Sequence, residues 1–344
     1  MSAGPPTVAG EPVCTALLRC TPEDFRVDEE LGFEPEGDGE HAFLFLQKRC
    51  LNTAELAQRL SSLAGVHPRD VSFSGMKDRN AVTRQWFSVR LAGRTEPRWQ
   101  ELESGEDVEV IRVQRHRRKL KRGVHRHNRF VLVLRELQGD REQVATRLNT
   151  LAVQGAPNYF GPQRFGRDGS TLQQALQWAE AGPRRVSRNK RSLMLSALRA
   201  HLFNALLAER VKAGDWNTVV AGDTCMLAGT RSHFQCAQPD ADITRRCADA
   251  DLHPALPLWG RGLEPVAPEL LARWHRVLKE ELALGDFLTE QGLEASWRAT
   301  RLIPDDFCWQ FCDDDALQLE FRLGAGCYAT ALLGEFVHYR ELQR

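Results

Sequence analysis

Between Phe25 and Leu137 the chain alternates apolar and polar residues in short bursts. FRVDEEL from Phe25, HAFLFLQK from His41, VSFSG from Val71, QWFSVRL from Gln85, VEVIRV from Val108 and RFVLVLREL from Arg129 are runs of β-branched and aromatic residues at strand length, several with period two. Between the second and third runs the period changes. Leu56, Leu60 and Leu63 share one helical face, Asn52 with Glu55 three residues on has the form of a capping box, and Gly65 supplies a stop. A second helix is predicted after RELQGD, with Val144, Leu148 and Leu151 on its apolar side.

At VQGAPNYFGPQRFGRDGST the texture turns to Gly, Pro and polar residues, which places a domain boundary at Gly155. Beyond it RSLMLSALRAHLFNALLAERVKAG predicts a long helix, 215–268 reads as loop-rich and irregular, and PELLARWHRVLKEELAL predicts one further helix. Strand texture then returns: Leu317, Leu319, Phe321 and Leu323 alternate with Gln318, Glu320 and Arg322. The acidic CDDDA just before it reads as a solvated turn. The expectation is an α+β protein whose first domain is discontinuous, with 1–154 and 303–344 interrupted by 155–302. The sequence holds no internal repeat and no low-complexity tract.

A chain of 344 residues that is 42% hydrophobic can bury a core of this size, and its formal charge of zero confines any nucleic-acid site to a local concentration of charge. Nine scattered cysteines without a C-x-x-C pair speak against a disulfide framework and a zinc site, and fit a reducing compartment. The N-terminal MSAGPPTVAGEPVC lacks the regions of a signal peptide, and no apolar run approaches the roughly 18 residues of a membrane helix. The expected location is the cytoplasm, and the expected state a monomer without an obligatory protein partner.

Charge concentrates in RVQRHRRKLKRGVHRHNRFVLVL. Nine Lys or Arg fall between Arg112 and Arg129, too many to be neutralised within the segment, and a phosphate backbone is the favourable partner. The bland reading is a solvated loop. A smaller patch comprises Arg184, Arg185, Arg188, Lys190 and Arg191. The expected contacts to the RNA backbone are Lys77, Arg79, Arg117, Arg118, Lys119, Lys121, Lys190 and Arg191. His125 and His127 could share a strand face as metal ligands do, but no third ligand is in view, so no metal is expected.

Asp78, in FSGMKDRNAVTRQWFSV, stands at the mouth of a predicted hairpin. Asp is a common turn residue because its carboxylate bonds nearby N–H groups. A carboxylate acting as a nucleophile must instead stay ionised in its pocket, which takes a cation: Lys77, Arg79 or a residue distant in sequence.

VSFSGMKDRNAVTRQWFSV resembles the signature of the TruD family of tRNA pseudouridine synthases, G-x-K-D-x-x-A-x-T-x-Q. PEDFRVDEELGFEPEGDGEH is similar to the family's N-terminal segment, RHRRKLKRGVHRHNRF to its basic stretch, and GAPNYFGPQRFGRDGSTL, RNKRSLMLSALRAHLFN and VVAGDTCMLAG to parts of its inserted domain. The motifs follow the family's order over nearly the whole chain. The resemblance implies a pseudouridine-synthase catalytic domain on a mixed, mostly antiparallel sheet, split by an α+β TRUD domain. It implies Asp78 as nucleophile, Arg19 as its basic partner, Phe25 and Asn128 lining the uridine pocket, and Phe130 packing on the base. Tyr328 occupies a pocket position where the family has Phe, which adds a hydroxyl that needs a partner.

The activity so implied converts uridine 13 in the D-arm of tRNA to pseudouridine, on a nucleotide flipped out of its stack. It involves neither redox change nor hydrolysis, so no cofactor is expected. The carboxylate acts at the ribose, by attack on C1′ or by removing a proton from C2′. An RNA-binding module without catalysis would share the fold and patches, but the set Asp78, Arg19 and Asn128 argues against it. A zinc base deaminase needs H-x-E and P-C-x-x-C, and neither occurs.

Overall fold

A computed structural model of the chain describes residues 4–182, 185–313 and 315–342. The chain divides into two compact units. One comprises Val13–Leu148, Pro304–Gly326 and Val337–Arg344, the other Met1–Pro12, Asn149–Ile303 and Cys327–Phe336.

The first of these is built on a single ten-stranded sheet. Its central strand, His127–Gly139, pairs antiparallel with Phe25–Glu30 and with Ala316–Gly324. Val82–Arg90 runs parallel to Phe25–Glu30 and antiparallel to His41–Arg49, whose other edge pairs with Val108–His116. Cys14–Leu18 lies between the central strand and Val337–Glu341, and runs parallel to the latter. Antiparallel pairs dominate, so the sheet is mixed and mostly antiparallel.

Directly opposed residues share a face of a sheet. Phe25 stands opposite Leu132, Glu29 opposite Asn128 and Phe321 opposite Phe130, so these side chains belong to one face. The pairs Val27–Thr83 and Thr83–Lys48 carry that face outward to Lys48 and Gln85. It is the buried face, as the period-two runs predict. Arg26, Asp28, Arg84, Arg129 and Glu320 alternate onto the other.

Helix Thr53–Leu63 covers part of the buried face with Leu56 and Leu60, against Leu44, Leu46, Phe87 and Val89. Asn52 is its N-cap, but the side chain makes no capping hydrogen bond and Glu55 pairs with Arg59 at 2.9 Å instead, so the expected capping box is absent.

The second unit is organised around the long helix Arg188–Ala213. Met194, Leu198, Leu202, Phe203 and Leu206 pack with Trp178, Trp274 and Phe287 from its neighbours. Two expectations change here. The irregular 215–268 contains strands Thr224–Leu227, His233–Gln235 and Leu252–Leu258 and helix Ala241–Ala248, and with Ser296–Ala299 the strands form a four-stranded sheet. Leu252–Leu258 is buried and paired on both sides despite Pro254 and Pro257, residues that normally argue against a central strand. The single helix from Pro268 is two, Pro268–Leu278 and Leu282–Glu290, broken where Lys279 takes φ 34°. None of the nine cysteines forms a disulfide, and among the described residues no helix is long and apolar enough to cross a membrane.

Candidate active site

Strands Val71–Phe73 and Val82–Arg90 form a hairpin, Phe73 opposite Phe87, and the loop between them carries Asp78. Few loop residues point into a core, so the loop is held by polar side chains from beneath. Gln85 donates to the Gly75 carbonyl at 3.2 Å, and the Thr53 hydroxyl accepts from the Lys77 N–H at 3.0 Å while donating to Gln85 Oε1 at 2.9 Å. Lys48 Nζ donates to the Asp78 carbonyl at 2.7 Å. Thr53, Gln85 and Lys48 are fully buried, so these bonds do not compete with water.

Arg19 follows strand Cys14–Leu18 with φ 61°, a left-handed conformation that costs a non-glycine residue about 1–3 kcal/mol. Its guanidinium is held on three sides. Nη2 donates to Asp78 Oδ2 at 2.7 Å, Nη1 donates to Glu341, and the Cζ atom lies 3.9 Å above the Phe25 ring. The parallel register of Leu18 with Glu341 brings that carboxylate alongside. The Arg19 side chain is 8% exposed and that of Asp78 38%, so the carboxylate remains open while its cation is enclosed. Phe25 meets Phe130 edge to face at 6.3 Å, and Phe130 stacks on Phe321 at 5.3 Å. Both Phe25 and Phe130 are buried in the sheet layer.

Asn128 joins a second network. Lys77 Nζ donates at 2.7 Å to both Glu29 Oε2 and Asn128 Oδ1, and the Asn128 amide lies 3.3 Å from His125 Nε2. Burial pushes the Glu29 carboxyl up, against the opposing pull of Lys77. Burial also lowers His125 to about 4, with Lys77 and His127 adding to the effect, so its ring is neutral at physiological pH. With Oδ1 occupied by Lys77, the Asn128 amide presents its N–H groups away from the lysine.

The Lys77 ammonium therefore does not reach solvent. Its side chain is 6% exposed and bonded to Glu29 and Asn128, which corrects its expected place on the RNA backbone. Arg79, Arg118, Lys119 and Lys121 are exposed, though Lys119 donates to the Arg69 carbonyl at 2.5 Å. Arg117 is exposed but forked onto Asp38. The basic segment is tied to the Asp78 loop through Ser74: the Gly123 N–H donates to its carbonyl at 2.8 Å, and the His125 N–H and ring both bond its hydroxyl. His125 precedes the strand that begins at His127, so the two histidines do not share its face. Among the described residues no group of three His, Cys, Asp or Glu could hold a metal.

Tyr328, Lys190 and Arg191 belong to the other compact unit. There the Tyr328 hydroxyl accepts from Arg164 Nε at 2.8 Å, which answers its need for a partner, and its ring meets Phe160 edge-on at 5.9 Å. Lys190 is exposed, whereas Arg191 is half-buried and donates to the Gln291 carbonyl at 2.7 Å. Arg184 of the same patch lies outside the described residues, as does Asp314 of the acidic turn.

Glu29, Lys48, Thr53, Ser74, Gln85, His125 and Glu341 have no place in the sequence-based set. Two of them leave a trace in the pattern. Lys48 follows Leu44 and Leu46 at period two, and Gln85 precedes Phe87 and Val89 in the same way, so each is a polar residue on a face whose other members are buried.

The family model for tRNA pseudouridine synthase D (TruD) matches residues 7–172 and 168–336. The chain is 48% identical over 334 residues to tRNA pseudouridine synthase D of Methylococcus capsulatus, an alignment covering 97% of this chain and 94% of that protein. It is 46% identical over 337 residues to the protein of the same name from Nitrosococcus oceani, covering 96% and 92%. In fold it is similar to a crystal structure of TruD from Methanosarcina mazei, with TM-score 0.69 at 21% identity over 97% of this chain and 95% of that one. Matched over nearly its whole length by the family model and by relatives sharing almost half its residues, this chain is a member of the tRNA pseudouridine synthase D family.

Proposed function

We propose that this protein isomerises uridine to pseudouridine in tRNA, at position 13 of the D-arm, with Asp78 as nucleophile. One observation carries the residue assignment. In a family of uridine isomerases, a half-open carboxylate is ion-paired at 2.7 Å to an enclosed arginine and stands on a loop anchored by buried hydrogen bonds. The guanidinium holds the carboxylate in place through that ion pair, and an ionised carboxylate is the form of the group that can act as a nucleophile.

The reaction breaks the N1–C1′ bond, turns the uracil and joins C5 to C1′; the proton leaving C5 and the proton gained at N1 balance. Asp78 acts at the ribose, by attack on C1′ or by taking a proton from C2′. Unstacking the target nucleotide costs a few kcal/mol. Aromatic stacking returns about 1 to 3 kcal/mol per base. Phe25, Phe130 and Tyr328 are the rings assigned to the uridine, and Asn128 the group assigned to its edge. Exposed Arg79, Arg118, Lys119, Lys121 and Lys190 are assigned to phosphates, whose counterions are released on binding. The isomerisation itself calls for no redox cofactor. We further assign the unit built on the ten-stranded sheet to catalysis and the unit organised around Arg188–Ala213 to the inserted TRUD domain, with Met1–Pro12 and Cys327–Phe336, expected in the first, lying in the second, and the protein to the cytoplasm.

Incubating the purified protein with unmodified tRNA transcripts and mapping pseudouridine nucleotide by nucleotide tests this reading. Modification at uridine 13 of a subset of tRNAs is expected. Modification confined to another position would overturn the site assignment, and none in any tRNA would overturn the activity.

A further inference from the structure

We propose that Lys48 is a positioning residue of this site, fixing the main chain of Asp78 and with it the direction of the carboxylate. The inference rests on Asp78 being the nucleophile.

Lys48 is fully buried on strand His41–Arg49, paired with Thr83 on one side and Val108 on the other. An ammonium has three donors. Among the described residues this one makes a single hydrogen bond, 2.7 Å to the Asp78 carbonyl, and no ion pair. A buried charge without a carboxylate partner is costly, and an apolar side chain would serve packing better there, as Leu44 and Leu46 do at the preceding positions of the same face. What the ammonium adds is a hold on one residue. Arg19 grips the Asp78 side chain from its other end at 2.7 Å, so two enclosed cations fix the carbonyl and the carboxylate of the same amino acid.

Burial lowers Lys48 to about 8; Asp78 and, more weakly, Cys50 pull the other way, and Lys77 adds to the lowering. The sign follows directly. As pH rises through about 8, Lys48 loses its proton and the loop loses its cation. Between there and the ordinary lysine value of 10.5 the unfolded chain still binds that proton, so stability rises while the hold on Asp78 weakens. Near Asp78, Tyr339, pushed up to about 12 by burial, titrates above this window.

The test uses the full chain, Lys48→Met and Lys48→Gln, with wild type and Asp78→Asn as references. Single-turnover tritium release from tRNA carrying 5-tritiated uridine is followed from pH 6 to 9.5, beside tRNA affinity and thermal melting. Lys48→Met should slow release by about a hundredfold, the scale of a misplaced reacting group. It should leave tRNA affinity unchanged, raise the melting temperature and remove the decline above pH 8. Lys48→Gln, which can still donate to the carbonyl, should recover part of the rate without the alkaline limb. Wild-type rates in Lys48→Met, or the wild-type alkaline decline persisting in it, would overturn the proposal. So would a slowed Lys48→Met that also melts earlier, since that is a structural defect. Should Asp78→Asn release tritium, the reading of Asp78 fails first and Lys48's role falls with it.

Discussion

Arg210 and Lys48 are both buried cations, one in each compact unit, and they are satisfied to different degrees. Arg210 donates to both oxygens of Asp223, at 2.7 and 3.0 Å, and to the carbonyls of Asp215 and Thr218 at 2.8 Å. Asp223 is itself fully buried and accepts from the Val220 N–H at 2.8 Å. Lys48 has one carbonyl. A guanidinium bonded through all three of its nitrogens ties helix to loop. An ammonium left short of partners beneath an open carboxylate is retained against the stability of the fold, as active-site groups commonly are.

Removing the cation with more partners should therefore damage the fold most. Arg210→Met leaves Asp223 buried without its partner and should lower stability by about 3–5 kcal/mol in denaturant unfolding. A loss below about 1 kcal/mol, the scale of an exposed pair, would mean the clamp is solvated after all. Arg19→Met should act on rate instead, slowing single turnover by about a hundredfold while tRNA affinity holds. A wild-type rate would separate Arg19 from the chemistry.

The same contrast extends to the surface. Arg118 and Lys121 are exposed without an ion pair among the described residues, whereas Arg117 is already forked onto Asp38. Changing Arg118 and Lys121 to Ala should flatten the dependence of log affinity on log salt by about 0.9 per lost contact on duplex RNA segments. Arg117→Ala should change it less. Equal slopes for both would return the segment to a solvated loop. The smallest effect is expected of Tyr328→Phe, which deprives Arg164 of one acceptor and should cost about 0.5–1.5 kcal/mol in melting experiments.

What the sequence made legible divides along the same line. Period-two runs disclose most strands of the large sheet and its more buried face, but not Cys14–Leu18, Asp305–Cys312 or Val337–Glu341, and His41–Arg49 and Val82–Arg90 are buried on both sides for part of their length. The Gly–Pro change of texture before Tyr159 and the apolar stripe of Arg188–Ala213 mark the second unit. Leu252–Leu258 stayed hidden because two prolines contradict its pairing, and the break at Lys279 because periodicity continues across it. In the site, family motifs point to Asp78 and Arg19. Their support is harder to read, since Thr53, Gln85 and His125 act through contacts between residues distant in sequence. Lys77 shows the limit of composition: a lysine beside an aspartate looks like a phosphate contact until Glu29 and Asn128 are found beneath it.

The central claim is that the Asp78 carboxylate performs the chemistry and does not merely shape a turn. Asp78→Asn keeps the size of the side chain and removes its ionised form. Under saturating enzyme, with tritium release read in a single turnover, the variant is predicted to bind tRNA as wild type does and to release no tritium above background. Release on the wild-type time scale would contradict the account.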